Sequence, residues 1–172
     1  NVDNFSVRGQ LAFNPTDVTE VLLSADYSKD TPNGECRNLT KIDKQTLKGT
    51  PEQHAYLAQM IIDEGIDDPR TCGQSVVQGS EKSVSGVSMR IEHDFDALQL
   101  TSITAFRQAE YDWVHELGGV DAPPGLLGVV DNEGEESDQL SQEIRLSNTT
   151  DNMHWVLGAY AIQENVDRFA NV

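Results

Sequence analysis

The chain has 172 residues, a formal net charge of −17 and a hydrophobic fraction of 37%. That length suffices for one domain, but the apolar fraction falls below the roughly 45–50% of ordinary globular chains, a figure that also counts glycine. So acidic a surface repels phosphates and excludes nucleic acid as a partner, and no run approaches the ~18 apolar residues of a membrane helix, which leaves open membrane barrels, whose strands alternate apolar and polar residues.

Six stretches carry the period-2 alternation of strands. In the first, Ser6–Asn14, Val7, Gly9, Leu11 and Phe13 share one face and Ser6, Arg8, Gln10 and Ala12 the other. The turn signal Asn14-Pro15-Thr16-Asp17 leads into Val18–Ser28, where Val21, Leu23, Ala25 and Tyr27 align. The third, about Ser85–Asp94, sets Val87, Met89 and Ile91 against Ser88, Arg90, Glu92 and Asp94. After a short turn at Asp94–Ala97 comes LQLTSITAFRQAEYDW (98–113), with Leu98, Leu100, Ser102, Thr104 and Phe106 on one face. The fifth, about Ser137–Asn148, opposes Leu140, Gln142, Ile144 and Leu146 to Ser141, Glu143, Arg145 and Ser147. The sixth, Met153–Val166, has no set phase. Trp155, Leu157, Ala159 and Ala161 oppose Val156, Gly158, Tyr160 and Ile162, and both sets are mostly apolar.

The connections alternate in length. Turns of about four residues near Pro15, Asp96 and Asp151 suit hairpins, whereas 29–84 and 114–136 are long loops leaving the opposite rim. The expected fold class is therefore all-β: an antiparallel up-and-down meander of about six strands, part of a larger transmembrane barrel. Its rim asymmetry, short turns at one end and long loops at the other, is that of outer-membrane barrels. The first loop should hold a helix over Pro51–Glu64, with Thr50 as N-cap and Gly65 as stop. Cys36 and Cys72, with no metal-ligand spacing around either, read as a disulfide of an oxidising compartment that staples this loop.

Aromatic residues mark two interfaces. Tyr27, Tyr111 and Trp113 sit at strand ends on the long-loop side, and Phe13, Phe95 and Trp155 near the short turns, as headgroup anchors would. On that basis LQLTSITAFRQAEYDW ends in an anchor at the outer interface. Arg8, Arg90, Arg107 and Arg145 lie inside strands and should face a lumen, since a charge facing lipid costs roughly 2–4 kcal/mol near the midplane. Glu92-His93-Asp94 is no metal cluster, because a strand sends His93 to the face opposite its neighbours. The acidic clusters 63–68 and 131–136 read as solvated loop faces, and the second lacks the spacing of a calcium loop. No nucleophile elbow, phosphate loop or zinc motif occurs, so no enzyme, cofactor or metal centre is expected.

The segments RGQLAFNPTDVTEVLLSADYSKD (8–30), LTSITAFRQAEYDW (100–113) and SDQLSQEIRLSNTTDNMHWVLGAYAIQE (137–164) resemble the barrel of TonB-dependent outer-membrane receptors. The similarity rests on Leu-Thr-Ser-Ile-Thr-Ala-aromatic-Arg, followed by Gln-Glu-Ile-Arg-Leu and Trp-Val-Leu-Gly, with Ala159 intervening before Tyr160. The resemblance implies a barrel of about 22 strands filled by a plug, in the bacterial outer membrane. It implies import of a scarce ligand: a ferric siderophore, haem, cobalamin or an oligosaccharide. The expected partners are that small molecule, outer-membrane lipid and the TonB complex acting through a plug that this sequence does not contain. The chain is thus expected to be a partial receptor over 1–172, with Arg107, Trp113, His115 and Arg145 as candidate ligand contacts. The competing expectation is a soluble or surface-displayed acidic β-domain acting as a binding or adhesion module.

Overall fold

The computed structural model describes residues 3–34, 50–63, 76, 78–116 and 130–171. Six strands follow one another: β1 (Asn4–Thr16), β2 (Thr19–Asp30), β3 (Gly79–Phe95), β4 (Leu98–Glu116), β5 (Val130–Thr149) and β6 (His154–Asn171). They form one antiparallel sheet in sequence order, and among the described residues each strand packs only on its neighbours in the chain. The sheet is an open single layer with β1 and β6 as edges.

The turns explain the register. Phe95 pairs with Leu98 around Asp96-Ala97, and Asp96 takes a φ of 22°, which aspartate tolerates in a two-residue hairpin. At β5–β6, Thr150 closes the turn by donating its backbone N–H (2.8 Å) and its hydroxyl (3.1 Å) to the Met153 carbonyl. The register between β1 and β2 slips between Phe13 and Thr16, and that between β3 and β4 runs without a break.

The strands outrun their sequence signal. Alternation ends where β3, β4 and β5 leave the apolar zone, yet pairing continues through Gly79–Val114 and Glu116–Val130. The long connections shrink to 31–78 and 117–129. The acidic stretch 131–136, expected in a loop, lies inside β5, between β4 and β6. Helix α1 spans Pro51–Asp63. Its start is a reciprocal cap: the Thr50 N–H donates to Gln53 Oε1 at 2.8 Å and the Gln53 N–H to Thr50 Oγ1 at 3.4 Å. Cys36 and Cys72, and with them the expected disulfide, lie outside the described residues.

Directly paired residues share a face, so the register assigns every side chain. One face carries Leu11, Leu23, Met89, Ile91, Phe106, Leu140, Ile144 and Leu157. The other carries Arg8, Asp26, Arg90, Arg107, Glu143 and Arg145, so all four strand arginines share it as expected. Ladder pairing also fixes β6: Trp155, Leu157, Ala159 and Ala161 join the apolar face, leaving Val156, Tyr160 and Ile162 on the other.

Among the described residues nothing covers the apolar face. Among the described residues the buried hydrophobic core is Val21 alone, while Leu11 is 60% exposed and Ile144 46%. A sheet with one apolar face ordinarily buries it against a second layer. The few polar groups of this face satisfy one another: Thr104 donates to Gln142 Oε1 at 2.6 Å, and Gln142 donates to Ser102 at 3.0 Å and to the Glu143 carbonyl at 3.1 Å. At the short-turn rim, His93 bonds Thr19 at 2.8 Å and lies edge-on to Phe95 at 4.2 Å.

The apolar zone slants across the ladder. It runs over Phe5–Phe13 on β1, Val21–Tyr27 on β2, Val87–Phe95 on β3, Leu98–Phe106 on β4, Leu140–Leu146 on β5 and Trp155–Ala161 on β6. The β1 zone centres on Gly9, whose row runs through Ala25, Val87, Phe106 and Leu140 to Gln163. On β6 the zone centres about five residues from Gln163. That is a drift of roughly 17 Å along the strands over roughly 24 Å across them, so the strands tilt by about 35° from the normal to the band. Projected on that normal, the zone on β3 is about 22 Å tall.

Candidate functional site

The four candidate contacts Arg107, Trp113, His115 and Arg145 share the polar face, but they do not form one site. Arg107 lies mid-strand on β4 and crosses β3 to reach Asp26 on β2, with Nη2 to Oδ2 at 2.7 Å. Gly86 makes this crossing possible, since a Cβ there would stand 3.3 Å from Arg107 Nε and 3.5 Å from Asp26 Oδ1. Arg145 pairs across the ladder with Thr101, about 20 Å along the strand from the Arg107 level, and forms an ion pair with Glu143. The structure therefore sets Arg145 near the short-turn rim, apart from the others.

Trp113 and His115 do come together, with Tyr111. The ring centroids are 6.3 Å apart for Tyr111–Trp113 and 5.4 Å for Trp113–His115. This is an aromatic ladder on alternate residues of β4, beyond the apolar zone. It corrects the expectation that Tyr111 and Trp113 anchor an interface. Arg107, Tyr111, Trp113 and His115 are all odd-numbered, and β4 has no bulge, so they must share a face. Tyr27, Phe13, Phe95 and Trp155 do lie on the apolar face.

Two recesses flank the ladder and share Tyr111 and Trp113. The first, about 410 Å³, is walled by Glu133, Glu135 and Arg168. Arg168 Nε sits 2.6 Å from Glu135 Oε2. The second, about 250 Å³, is walled by Asn33, Gln78, Ser80 and His115. Gln78 is 5% exposed, donates to the Glu116 carbonyl at 3.4 Å, and its Oε1 has no hydrogen-bond partner among the described residues. The buried Trp113 indole N–H also lacks one. A backbone amide, Val76 N–H, reaches the fully buried Glu116 carboxylate at 3.4 Å. Sequence reading missed Gln78, Glu133, Glu135 and Arg168, because only the ladder register brings β3, β5 and β6 alongside Trp113. A third recess, about 590 Å³, belongs to the apolar face, where Gly9 and Ala25 leave a shallow groove; its walls offer little to orient a ligand.

On the ladder's own face Asp131, Glu133 and Glu135 stand beside Lys82 and Arg168, and further charged groups lie elsewhere on the chain. Lys29, just past the apolar zone on β2, pairs with Glu81 at 2.6 Å, and that hydrogen bond raises the lysine pKa above 10.5. At the start of α1, the Glu52 backbone N–H and the Thr50 hydroxyl hold the Glu52 carboxylate below its ordinary pKa. Among the described residues no group of three His, Cys, Asp or Glu could hold a metal ion.

No protein-family model and no curated protein matches the chain. Solved structures do match its fold, among them the two that follow. One is P. aeruginosa FpvA bound to heterologous pyoverdines in an iron complex, with a TM-score of 0.66 at 16% identity over 98% of this chain. The other is Fiu, the ferric-catecholate import receptor of K12 E. coli in its closed form, with a TM-score of 0.59 at 12% identity over 97% of this chain. The chain spans 22% and 25% of those two chains, so the likeness is to a sector of each.

Proposed function

We propose that the chain is a sector of a TonB-dependent receptor barrel in the bacterial outer membrane, importing a scarce ligand of the ferric-siderophore class. The observation that carries this is the uncovered apolar face with its slanted band. An apolar zone about 22 Å tall on strands tilted by about 35° matches the roughly 25 Å band and 35–45° tilt of a bilayer-spanning barrel. A water-facing β-module has no use for such a surface. The likeness to FpvA, seen with pyoverdine and iron, and to Fiu, a ferric-catecholate import receptor, supports the ferric-siderophore class ahead of haem, cobalamin or an oligosaccharide.

In this reading the apolar face meets lipid and the polar face lines the lumen. The connections 31–78 and 117–129 lie outside the cell, and the short turns face the periplasm. A plug elsewhere in the polypeptide would couple to the TonB complex. Arg107, Trp113 and His115 are proposed ligand contacts on the way in, and Arg145 lies deeper, near the periplasmic rim. The work done is binding and passage, with no chemical step on the ligand.

The test is growth of a strain lacking the gene on single iron chelates, haem, cobalamin and glycans, with the gene restored in trans. Gene-dependent growth on one nutrient is expected. Equal growth on all of them, together with a 172-residue chain that sediments as a folded monomer without detergent, would instead support the acidic binding module.

A further inference from the structure

We propose that the paired recesses at Tyr111 and Trp113 bind a cationic group of the incoming ligand, an ammonium or a guanidinium, so that the protein sorts chelates by charge; this rests on the receptor reading above. The walls are built for such a group. Two aromatic rings offer faces of negative electrostatic potential, which attract cations. Glu133 and Glu135 stand beside them on β5. Arg168, on the wall of the larger recess, lays its guanidinium against Glu135 at 2.6 Å, so a carboxylate there already pairs with such a group. Among the described residues, Glu133 has no such cation. In the adjoining recess Gln78, 5% exposed, forms part of the wall, and its Oε1 has no hydrogen-bond donor among the described residues, so only an N–H or O–H can satisfy it.

Size points the same way. Volumes of about 410 and 250 Å³ lie at or under the low end of the roughly 300–1,000 Å³ that whole ligands occupy, so the site holds a substituent and leaves the chelate core outside. A chain of net charge −17 also repels a multiply anionic complex before contact and draws in a positive one.

The experiment uses outer-membrane vesicles from cells making the full-length protein, with vesicles from the deletion strain as blank. Three radioiron-labelled probes are compared: a linear ferric trihydroxamate with a free terminal ammonium, the same complex with that nitrogen acetylated, and a trianionic ferric tricatecholate. The ammonium form is expected to bind about tenfold tighter than the acetylated form, with the trianion weakest. Glu133→Gln narrows the gap between the two trihydroxamates without weakening the acetylated one; Trp113→Leu abolishes the gap and Trp113→Phe keeps most of it. Equal binding of the two trihydroxamates, tightest binding of the trianion, or no gene-dependent binding of the ammonium form overturns the proposal. The ligand comparison needs only the wild-type protein, so a misfolded variant cannot obscure it. Whole-cell uptake separates the two readings. Gene-dependent import without charge preference defeats the cation site and leaves the receptor standing. Charge-ordered binding without gene-dependent import does the reverse.

Discussion

Ile91→Arg is the sharpest test of which surface meets hydrocarbon. Ile91 lies at the middle of the apolar zone on β3, in a row with Phe13, Val21, Ser102 and Ile144. Its neighbour Arg90 occupies the opposite face, where the guanidinium lies 3.6 Å from both Glu20 and Glu92. One residue therefore separates a tolerated arginine from a forbidden one. At mid-band a lipid-facing arginine costs about 2–4 kcal/mol, a shift of roughly 30- to 1,000-fold in the folding equilibrium. Ser88→Arg, three residues away on the polar face, should cost under about 1 kcal/mol, the range of ordinary surface changes. The assay is urea titration of the full-length protein refolded into lipid vesicles, read by the heat-modifiable mobility of the folded barrel. If Ile91→Arg and Ser88→Arg shift the midpoint equally, the apolar face does not lie against lipid and the reasoning fails.

Gly86→Val should push Arg107 off Asp26, because even a single Cβ would stand 3.3 Å from Arg107 Nε; a double-mutant cycle with Asp26→Asn should show coupling of up to about 1 kcal/mol, and strict additivity would count against the bridge. Thr104→Val removes the donor to Gln142 on the apolar face and should cost about 1–3 kcal/mol in the same vesicle titration, whereas the triple change Ser102→Ala, Thr104→Val and Gln142→Leu should recover most of it. Lys29 has a raised pKa in the folded state, so its contribution is fully present below pH 10.5 and is lost as pH rises through the raised value. Glu81→Gln should remove that alkaline loss, and an unchanged profile between wild type and variant would refute the pairing.

What the sequence made legible, and what it did not, follows from the range of each interaction. Alternation located all six strands, and the cost of a lipid-facing charge, not periodicity, set the shared face of Arg8, Arg90, Arg107 and Arg145. Thr50 and Gln53 announced the start of α1 because a cap is local. The phase of β6 was not legible: Tyr160 and Ile162 are as apolar as Leu157 and Ala161, and only pairing with β5 decides between them. Strand ends were lost for the opposite reason. Beyond Phe106 the apolar zone ends on β4, so alternation stops while the ladder of backbone hydrogen bonds goes on. The placement of Tyr111 and Trp113 failed on composition. Aromatic residues near a strand end suggest an interface, but parity with Arg107 sends them to the other face, and a strand without a bulge obeys parity.

That extension of β4 separates the two jobs of the sheet. Trp113 stands seven residues beyond Phe106, which at a tilt of about 35° lifts it roughly 20 Å above the top of the apolar zone. In the proposed barrel neither face is pressed by lipid at that height, so both can be polar. The strand then carries Asp112 on one side and Trp113 on the other without cost to membrane insertion. Ladder hydrogen bonds from β3 and β5 still hold the rings in register. The proposed site would thus be rigid because it is strand, and free to vary in chemistry because the receptor reading places it clear of the bilayer. Changes at Tyr111, Trp113 or Glu133 should therefore alter binding while the lipid-spanning part of the same strands keeps its stability.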